Sequence, residues 1–474
     1  MRSAFTFTSI VTLALAQATT SPRAPRFDLV IENGRVMDPE SRLDAVRHLG
    51  IRGGRIVAIS ERPLSCVRTI DATSHVVAPG FVDLHEHGQQ EEAYRLMVRD
   101  GVTSAFELEV GTADVAKWYA AREGGQLVNY GVAVGHIPVR MKVLGDPSTG
   151  LLPAGIGGSG TASQAQMAAM EALLREGLAQ GALAMGFGTA YTPGAPMSEI
   201  ERMFRVAKPG GVAVHIHIRG GLQGLRETIA AAAAAHVPLH IVHVNSSADD
   251  ELDGFLAAIQ AARRAGQDVT TEAYPYGAGM TEIQSALFDD WASWPDERFG
   301  LHQLVSTGER LTRTTFEEAR KTGGTVIIHG RSERQTRAAI ASPLAVIASD
   351  GFIENGRGHP RTSGSYARVL GRYVREEGAV TLMDALRRMT LEPARRLERR
   401  APAMARKGRI RLGADADLVV FDPATVIDRA TYEDATIPSA GIPYVLVRGQ
   451  VVVDKGELTA LRPGRAVRAL VRPR

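Results

Sequence analysis

The sequence of 474 residues predicts an α/β protein, a (β/α)8 TIM-type barrel with a small β-sandwich domain formed from both chain ends. Two observations support this fold class. The middle of the chain alternates short apolar runs with helical stretches, which is the pattern of strands and helices around a parallel sheet. Both ends carry strand-like runs bounded by turn residues, so we expect the two ends to form one sheet beside the barrel.

Composition and charge are those of a globular protein. The chain has 55 Lys and Arg against 52 Asp and Glu, a formal net charge of +3, and its residues are 44% hydrophobic. No long basic run exists to neutralise phosphates, so nucleic acid is not an expected partner. The single cysteine, Cys66, excludes an internal disulfide and a Cys-rich metal site. Any metal site must therefore rest on histidines and carboxylates.

The first 18 residues resemble a secretory signal peptide. Arg2 precedes an uncharged stretch over residues 3–16, and Ala16-Gln17-Ala18 is an A-x-A cleavage signal. The apolar centre is too short to span a bilayer, which takes roughly 20 residues, so no membrane anchor is expected. The alternative is a disordered start. We expect residues 1–18 to be removed and the protein to be secreted or periplasmic.

The small β domain is assigned to residues 26–75 and 406–474. In its first part, Phe27–Val36 and Ile51–Ile59 are predicted strands, with Asn33-Gly34 and Gly53-Gly54 as turns. The predicted strands of the second part, with Arg448-Gly449 as a hairpin turn, are Leu418–Phe421, Tyr444–Val447 and Gln450–Val453.

The barrel is assigned to residues 76–405. Its eight predicted strands lie within Val76–His87, Val102–Val110, Val128–Gly135, Ala182–Phe187, Val212–Arg219, Leu239–Val244, Asp268–Tyr276 and Leu344–Asp350. Helices are predicted over Gln164–Gln180, Leu222–His236 and Asp249–Ala265. The connection between the seventh and eighth runs is long for this fold, which predicts an inserted lid at about 280–340.

Histidines and carboxylates occur at the strand ends, where barrel enzymes place their chemistry. The first run ends with His85 and His87, which point the same way because strand side chains alternate. Such a pair can hold one Zn²⁺, although two surface histidines give the same pattern. On the second run, Glu107 and Glu109 share a face and are costly to bury unpaired. Glu109, nearer the strand end, is the candidate ligand or bridge, and Glu107 a deeper, ion-paired group.

The fifth, sixth and eighth runs add further candidates. His217 lies nearer the barrel mouth than His215, which we interpret as a core residue. His240 and His243 are three apart and so are predicted on opposite faces, with His243 nearer the strand end. Asp350 ends the eighth run and is a candidate base, although an Asp before Gly is commonly a turn residue.

Together these motifs resemble the amidohydrolase superfamily, and more closely its N-acyl-D-amino-acid deacylases (D-aminoacylases). The resemblance covers most of the chain. The motifs that carry it are Ala78-Pro79-Gly80-Phe81-Val82-Asp83 before His85, Gly101-Val102-Thr103, Gly135-His136, Tyr191-Thr192-Pro193-Gly194, His217-Ile218-Arg219, Tyr274-Pro275-Tyr276, Ser349-Asp350-Gly351, His359-Pro360-Arg361 and Ala416-Asp417-Leu418-Val419.

The resemblance implies a metal-dependent hydrolase that cleaves an amide bond of an N-acyl amino acid, a small molecule with a carboxylate. One or two Zn²⁺ would be held by His85, His87, Glu109, His217 and His243. Asp350 is implied to be the general base, Arg361 to bind the substrate carboxylate, and Tyr274 or Tyr276 to orient the substrate.

Two positions depart from the family pattern. Family members place a Cys at the end of strand two, where this chain has Glu109, and a Lys two residues after the sixth-strand His, where it has Asn245. Asn245 is therefore a candidate substrate-binding residue. A dipeptidase, a cyclic-amide hydrolase, a lactonase and a non-catalytic scaffold remain alternatives on the same fold. The sequence motifs give no indication of the oligomeric state.

Overall fold

The computed structural model describes residues 27–66 and 68–470. The predicted signal peptide lies outside the described residues. Among the described residues, no helix has the length and apolar character that crossing a lipid bilayer requires.

Eight parallel strands form the barrel and neighbour one another in chain order. They are Phe81–Asp83, Val102–Thr112, Asn129–Gly135, Met185–Gly188, Val214–His217, Leu239–Ile241, Val269–Ala273 and Ala345–Ile347. The first and eighth strands meet just beyond their last residues. There the Asp350 amide donates to the His85 carbonyl (2.7 Å) and the His87 amide to the Gly351 carbonyl (2.9 Å). The predicted fold class is confirmed.

Helices follow the strands and pack their apolar faces against the barrel. Two predicted helices occur within one residue of their expected ends, as Gln164–Ala179 and Gly221–Ala235, and the third occurs as Leu252–Arg264. The first of these begins with a capping box between Ser163 and Gln166. The other α-helices are Glu91–Arg99, Val115–Ala120, His136–Leu144, Ile156–Ser159, Met197–Ala207, Val244–Ser247, Asp296–Phe299, Arg313–Thr322, Glu333–Ala341, Arg361–Arg368, Leu382–Leu386 and Glu392–Glu398, with π-helical turns at Val369–Glu376 and Arg387–Leu391.

Within the described residues, the small sheet has nine strands drawn from both ends of the chain. They are Leu29–Asp38, Leu43–Arg52, Arg55–Ser60, Thr69–Asp71, Val76–Pro79, Leu418–Phe421, Tyr444–Val447, Gln450–Asp454 and Glu457–Leu458. The predicted turn at Asn33-Gly34 is wrong, because these residues form a bulge inside the first strand. The predicted strand Ile51–Ile59 is also wrong, because Gly53-Gly54 turns the chain between two antiparallel strands.

The run Val76–His87 is divided between the two sheets. Its first part, Val76–Pro79, pairs with Leu418–Phe421 in the small sheet, and Phe81–Asp83 opens the barrel. The chain passes from one sheet to the other at Gly80, where a Cβ would lie 2.2 Å from the Thr103 side chain. His85, the first metal-ligand candidate, lies two residues after Asp83 and therefore sits on a segment that is fixed at both ends.

Part of the connection between strands seven and eight, residues 279–332, covers the barrel mouth, and we call this segment the lid. It contains a three-stranded antiparallel sheet formed by Gly279–Glu282, His302–Leu304 and Thr325–Ile328. Its own core is aromatic: Trp294 is 3% exposed and packs on Phe299 and Phe316. Glu282 accepts hydrogen bonds from the amides of Leu151 (2.6 Å) and Leu152 (3.3 Å), which ties the lid to the loop after strand three.

Candidate metal centre and active site

A cavity of about 670 Å³ lies between the barrel mouth and the lid. Its floor carries side chains from the ends of strands one, two, five, six and eight, namely His87, Glu109, His217, His243 and Asp350. Lid residues form its roof. The strand ends thus bring together side chains that are up to 263 positions apart in the sequence, as parallel barrel strands do.

His85 and His87 face each other through their Nε2 atoms, which are 3.1 Å apart. The other nitrogen of each ring faces a carboxylate: His85 Nδ1 lies 2.5 Å from Glu272, and His87 Nδ1 lies 2.6 Å from Glu107. These contacts assign a proton to each Nδ1, since a carboxylate accepts and an imidazole nitrogen must then donate. Both Nε2 atoms point to the same place, where each can bind a metal ion once it carries no proton.

Two carboxylate oxygens converge on that point. Glu109 Oε2 lies 2.9 Å from His85 Nε2 and 3.2 Å from His87 Nε2. Asp350 Oδ1 lies 3.3 Å from each of the same nitrogens. These four ligand-type atoms lie within 4.8 Å of one another, so unprotonated rings and ionised carboxylates would repel here unless a cation lay between them. Two imidazoles with carboxylate oxygens are a donor set that Zn²⁺ and similar divalent ions take, so these residues fit a metal ion.

Glu109 belongs to a second group as well. Its other oxygen, Oε1, lies 3.1 Å from His217 Nδ1 and 4.0 Å from His243 Nε2. The hydroxyls of Ser246 and Ser247 contact His243 Nδ1 at 3.0 and 3.1 Å, which leaves Nε2 of that ring directed at Glu109. One carboxylate thus joins two groups of ligand-type atoms, as a bridge between two metal ions requires.

The second strand is shaped so that both of its glutamates reach the mouth. Glu107 Oε1 accepts hydrogen bonds from the backbone amides of Val110 (3.0 Å) and Gly111 (3.2 Å), so this side chain is fixed behind His87. Gly111 adopts φ +68°, and a Cβ there would lie 2.6 Å from the Ala133 carbonyl. The predicted supporting role of Glu107 agrees with this placement.

Two site residues have left-handed backbone conformations that favour glycine. These are His243, with φ +33°, and Asp350, with φ +54°. Such conformations cost about 1–3 kcal/mol each and persist where the surrounding structure fixes them. The Asp350 amide bond to His85 is one such constraint. Both side chains are thereby turned towards the cavity after their strands have ended.

The charges of the site are strongly coupled. Burial opposes a charge on His85, but Asp350, Glu272 and Glu109 outweigh it and raise the pKa of His85 well above its ordinary value. Burial alone would raise the pKa of Asp350, yet the charges of Arg361 and His85 hold that pKa well below its ordinary value. Arg361 Nη1 lies 2.9 Å from Asp350 Oδ2. Asp350 is therefore ionised at neutral pH and able to accept a proton.

The predicted substrate-binding residues have different surroundings. Arg361 and Tyr274 line the cavity, with the guanidinium 4.7 Å from the centre of the tyrosine ring. Asn245 also lines the cavity, but its side chain is bound to the Tyr274 backbone. Its Nδ2 donates to the Tyr274 carbonyl (3.1 Å), and its Oδ1 accepts from the Tyr274 amide (3.3 Å). Tyr276 is placed elsewhere, because its hydroxyl donates to Asp428 (3.2 Å) and its ring is not part of the cavity wall. Of the two tyrosines, Tyr274 is the one that lines the cavity.

Some site residues were not predicted or were predicted wrongly. His240 does not point away from His243: the strand ends at Ile241, the alternation stops, and both rings lie inside the barrel. Glu272 was not predicted, although it accepts from His85 and, at 2.8 Å, from His240. Burial alone would raise the pKa of Glu272, but the charges of His85 and His240 and the hydrogen bonds from these rings outweigh it and lower that pKa to about 2. A glutamate inside the largely buried strand Val269–Ala273 was the available signal.

Comparison with known proteins gives consistent matches along the chain. Residues 68–453 match the sequence model described as "Amidohydrolase family". An N-acyl-D-glutamate deacylase of Alcaligenes xylosoxydans xylosoxydans is 31% identical over 94% of this chain and 97% of its own length. A D-aminoacylase of the same organism is 30% identical over 93% of this chain and 97% of its own length.

A solved structure shows the same architecture. The N-acyl-D-glutamate deacylase of Bordetella bronchiseptica, complexed with zinc and a phosphonate inhibitor that mimics the tetrahedral intermediate, superposes with a TM-score of 0.81. The two sequences are 27% identical, and the superposition covers 94% of this chain and 100% of the other. With the sequence match and the shared fold, the chain belongs to the amidohydrolase family and is related to its N-acyl-D-amino-acid deacylases.

Proposed function

We propose that this protein is a zinc-dependent amidohydrolase that cleaves the amide bond of an N-acyl-D-amino acid into a carboxylic acid and a free amino acid. The observation that carries the proposal is the Glu109 carboxylate between two groups of imidazoles, beside an ionised Asp350. The relatives described above, which are deacylases of N-acyl-D-amino acids by name, support the substrate class.

The residues that would hold zinc form two sets. His85, His87, Glu109 and Asp350 offer four atoms, and Glu109, His217 and His243 offer three. The first set is larger and its atoms are closer together, so we propose that it holds the first ion. A bound zinc ion supplies a Lewis acid that polarises the scissile carbonyl and lowers the pKa of water.

Asp350 would carry the proton transfers. Arg361 holds one of its oxygens, and the other faces the point where His85 and His87 converge. In this position Asp350 takes a proton from the attacking water and returns it to the leaving nitrogen as the C–N bond breaks. Glu107 and Glu272 keep the two imidazoles in the tautomer that presents Nε2 to the site.

The cavity offers an apolar wall as well as charged groups. The side chains of this wall, close to Glu109, are Val110, Leu151, Leu152, Tyr191 and Leu287. Tyr191 also packs edge-on against His217, with ring centres 4.7 Å apart. A surface of this kind suits the aliphatic part of a substrate, either the acyl chain or an apolar amino-acid side chain.

A substrate panel tests the proposal. We expect the zinc-loaded protein to release the amine from N-acetyl-D-amino acids with a kcat/KM about 10²-fold or more above that for the L-enantiomers, dipeptides, hydantoins and lactones. Removal of zinc with a chelator should abolish this activity, and added zinc should restore it. Preferred hydrolysis of a dipeptide, a cyclic amide or a lactone would instead assign the protein to another hydrolase class.

We also propose that the protein is exported and that residues 1–18 are removed. The support is the sequence of the first 18 residues, with Arg2 before an apolar stretch and an A-x-A cleavage signal. N-terminal sequencing of the full chain expressed in a Gram-negative host should find a mature periplasmic form that begins near residue 19. A chain recovered from the cytoplasm with Met1 or Arg2 at its terminus would contradict export.

A further inference from the structure

The lid contributes one arginine to the cavity wall, and the proposed mechanism does not use this arginine. Arg331 lies between the lid strand Thr325–Ile328 and the helix Glu333–Ala341, and its half-buried side chain lines the cavity. Its backbone amide donates to the Gly277 carbonyl (3.1 Å), and its Nη1 donates to the Tyr274 hydroxyl (2.6 Å). Arg331 is therefore fixed on both sides in a defined position above the site.

The charge of Arg331 has no counter-charge among the described residues. Within the part of the chain that the structure describes, no carboxylate lies within ion-pairing distance of its guanidinium, whereas Arg361 is paired with Asp350. The guanidinium also packs closely over Gly279, where a Cβ would lie 3.0 Å from Nη1 and 3.1 Å from Nη2. A glycine at this position leaves the space that the guanidinium occupies.

Tyr274 connects this arginine with the metal-ligand residues. Its ring centre lies 6.3 Å from that of His243, and its hydroxyl holds Arg331 at the other end. A substrate whose scissile carbonyl lies at Glu109 and Asp350 would extend along the tyrosine ring towards Arg331. The amino-acid half of an N-acyl amino acid carries a carboxylate only two bonds beyond the amide nitrogen, so that group is within reach of this part of the cavity.

We propose that Arg331 binds a carboxylate of the substrate and so restricts the enzyme to N-acyl amino acids. This inference rests on the proposed function and deepens it. The hydrogen bond to Tyr274 uses one N–H of the guanidinium, and the remaining donors can form the paired hydrogen bonds that carboxylates favour. The carboxylate can come from the amino-acid backbone or from an acidic side chain, and the choice of substrates separates these two sources.

The test compares the Arg331→Gln variant with the wild type on three substrates. These are N-acetyl-D-leucine, N-acetyl-D-glutamate and N-acetyl-D-leucinamide, which has no carboxylate. If Arg331 binds the backbone carboxylate, KM should rise about 10²-fold for the first two and change less than about 2-fold for the amide, with kcat nearly constant. If it binds a side-chain carboxylate, only N-acetyl-D-glutamate should be affected.

Two further variants separate binding from structure. Arg331→Lys keeps the charge and should recover part of the loss, and Arg334→Gln removes an exposed arginine outside the cavity wall and should match the wild type. Unchanged KM values for all three substrates in Arg331→Gln, or an equal rise for the amide, would overturn the inference.

A binding measurement keeps this inference separate from the proposed function. Phosphonate analogues of the tetrahedral intermediate of N-acetyl-D-leucine and N-acetyl-D-glutamate hydrolysis are titrated into the zinc-loaded enzyme, each with the carboxylate in question free or as the amide. We expect Arg331→Gln to weaken the carboxylate form of at least one pair about 10²-fold and the amide forms little. A wild type that hydrolyses none of the substrates but shows this pattern would refute the function alone.

Discussion

Replacement of Asp350 by Asn is expected to lower kcat about 10³- to 10⁴-fold while zinc remains bound. Asn has the same shape but cannot accept the proton of the attacking water at neutral pH. His85, His87 and Glu109 remain in place, with Glu109 Oε2 2.9 Å from His85 Nε2, so the first metal ion keeps most of its ligands. Steady-state kinetics with N-acetyl-D-leucine and the zinc content of the purified variant measure the two effects separately.

A matched control exists in the same protein. Asp428 is a buried carboxylate that pairs with an arginine, 3.0 Å from Arg368, and is not part of the cavity wall. Asp428→Asn removes the same charge from the same kind of pair, so it should lower stability but change kcat less than about 3-fold. If Asp350→Asn kept more than about a tenth of the wild-type kcat, Asp350 would not be the base.

Replacement of Glu109 by Ala is expected to remove zinc from both groups and to abolish turnover. Glu109 is the one residue that both groups share, and its two oxygens contact His85 and His217 at 2.9 and 3.1 Å. Burial would raise the pKa of Glu109, but the His85 charge and the histidine hydrogen bonds hold that pKa well below its ordinary value, so the lost group is an anion. We expect zinc affinity to fall more than about 10²-fold, measured by competition with a chromophoric chelator.

The comparison variant is Glu107→Gln. Glu107 contacts His87 Nδ1 and lies behind the ligand atoms, so its loss should lower zinc affinity only about 10- to 100-fold. We therefore expect Glu109→Ala to lower zinc affinity more than Glu107→Gln does. A Glu109→Ala variant that keeps full zinc content and activity would show that the metal is held without the bridge.

Much of the fold could be predicted because its signals are local. Most barrel strands lie in short runs rich in apolar residues, and helices such as Gln164–Ala179 begin at a recognisable cap, Ser163. The strand Leu43–Arg52 could not be predicted in this way, because its polar and apolar residues do not alternate regularly. The transfer of the chain from one sheet to the other at Gly80 depends on contacts with Thr103, which no local pattern records.

The same distinction applies to the site. Their position on the chain predicted that six residues near or just beyond the carboxyl ends of strands would meet, namely His85, His87, Glu109, His217, His243 and Asp350. Glu272 lies within a strand, and its role appears only when His85 and His240 are brought beside it. Arg331 lies in the lid, and its position depends on how that long connection folds back over Tyr274.

The position of a bound zinc ion decides whether Glu109 lies at the metal centre. Crystals of the zinc-loaded protein, measured at the zinc absorption edge, should show an anomalous peak between His85, His87, Glu109 and Asp350. The peak should lie roughly 2.0–2.2 Å from a Glu109 oxygen. A zinc-loaded crystal with no peak at Glu109, or with the ion held by residues outside these two groups, would show that Glu109 does not hold the metal.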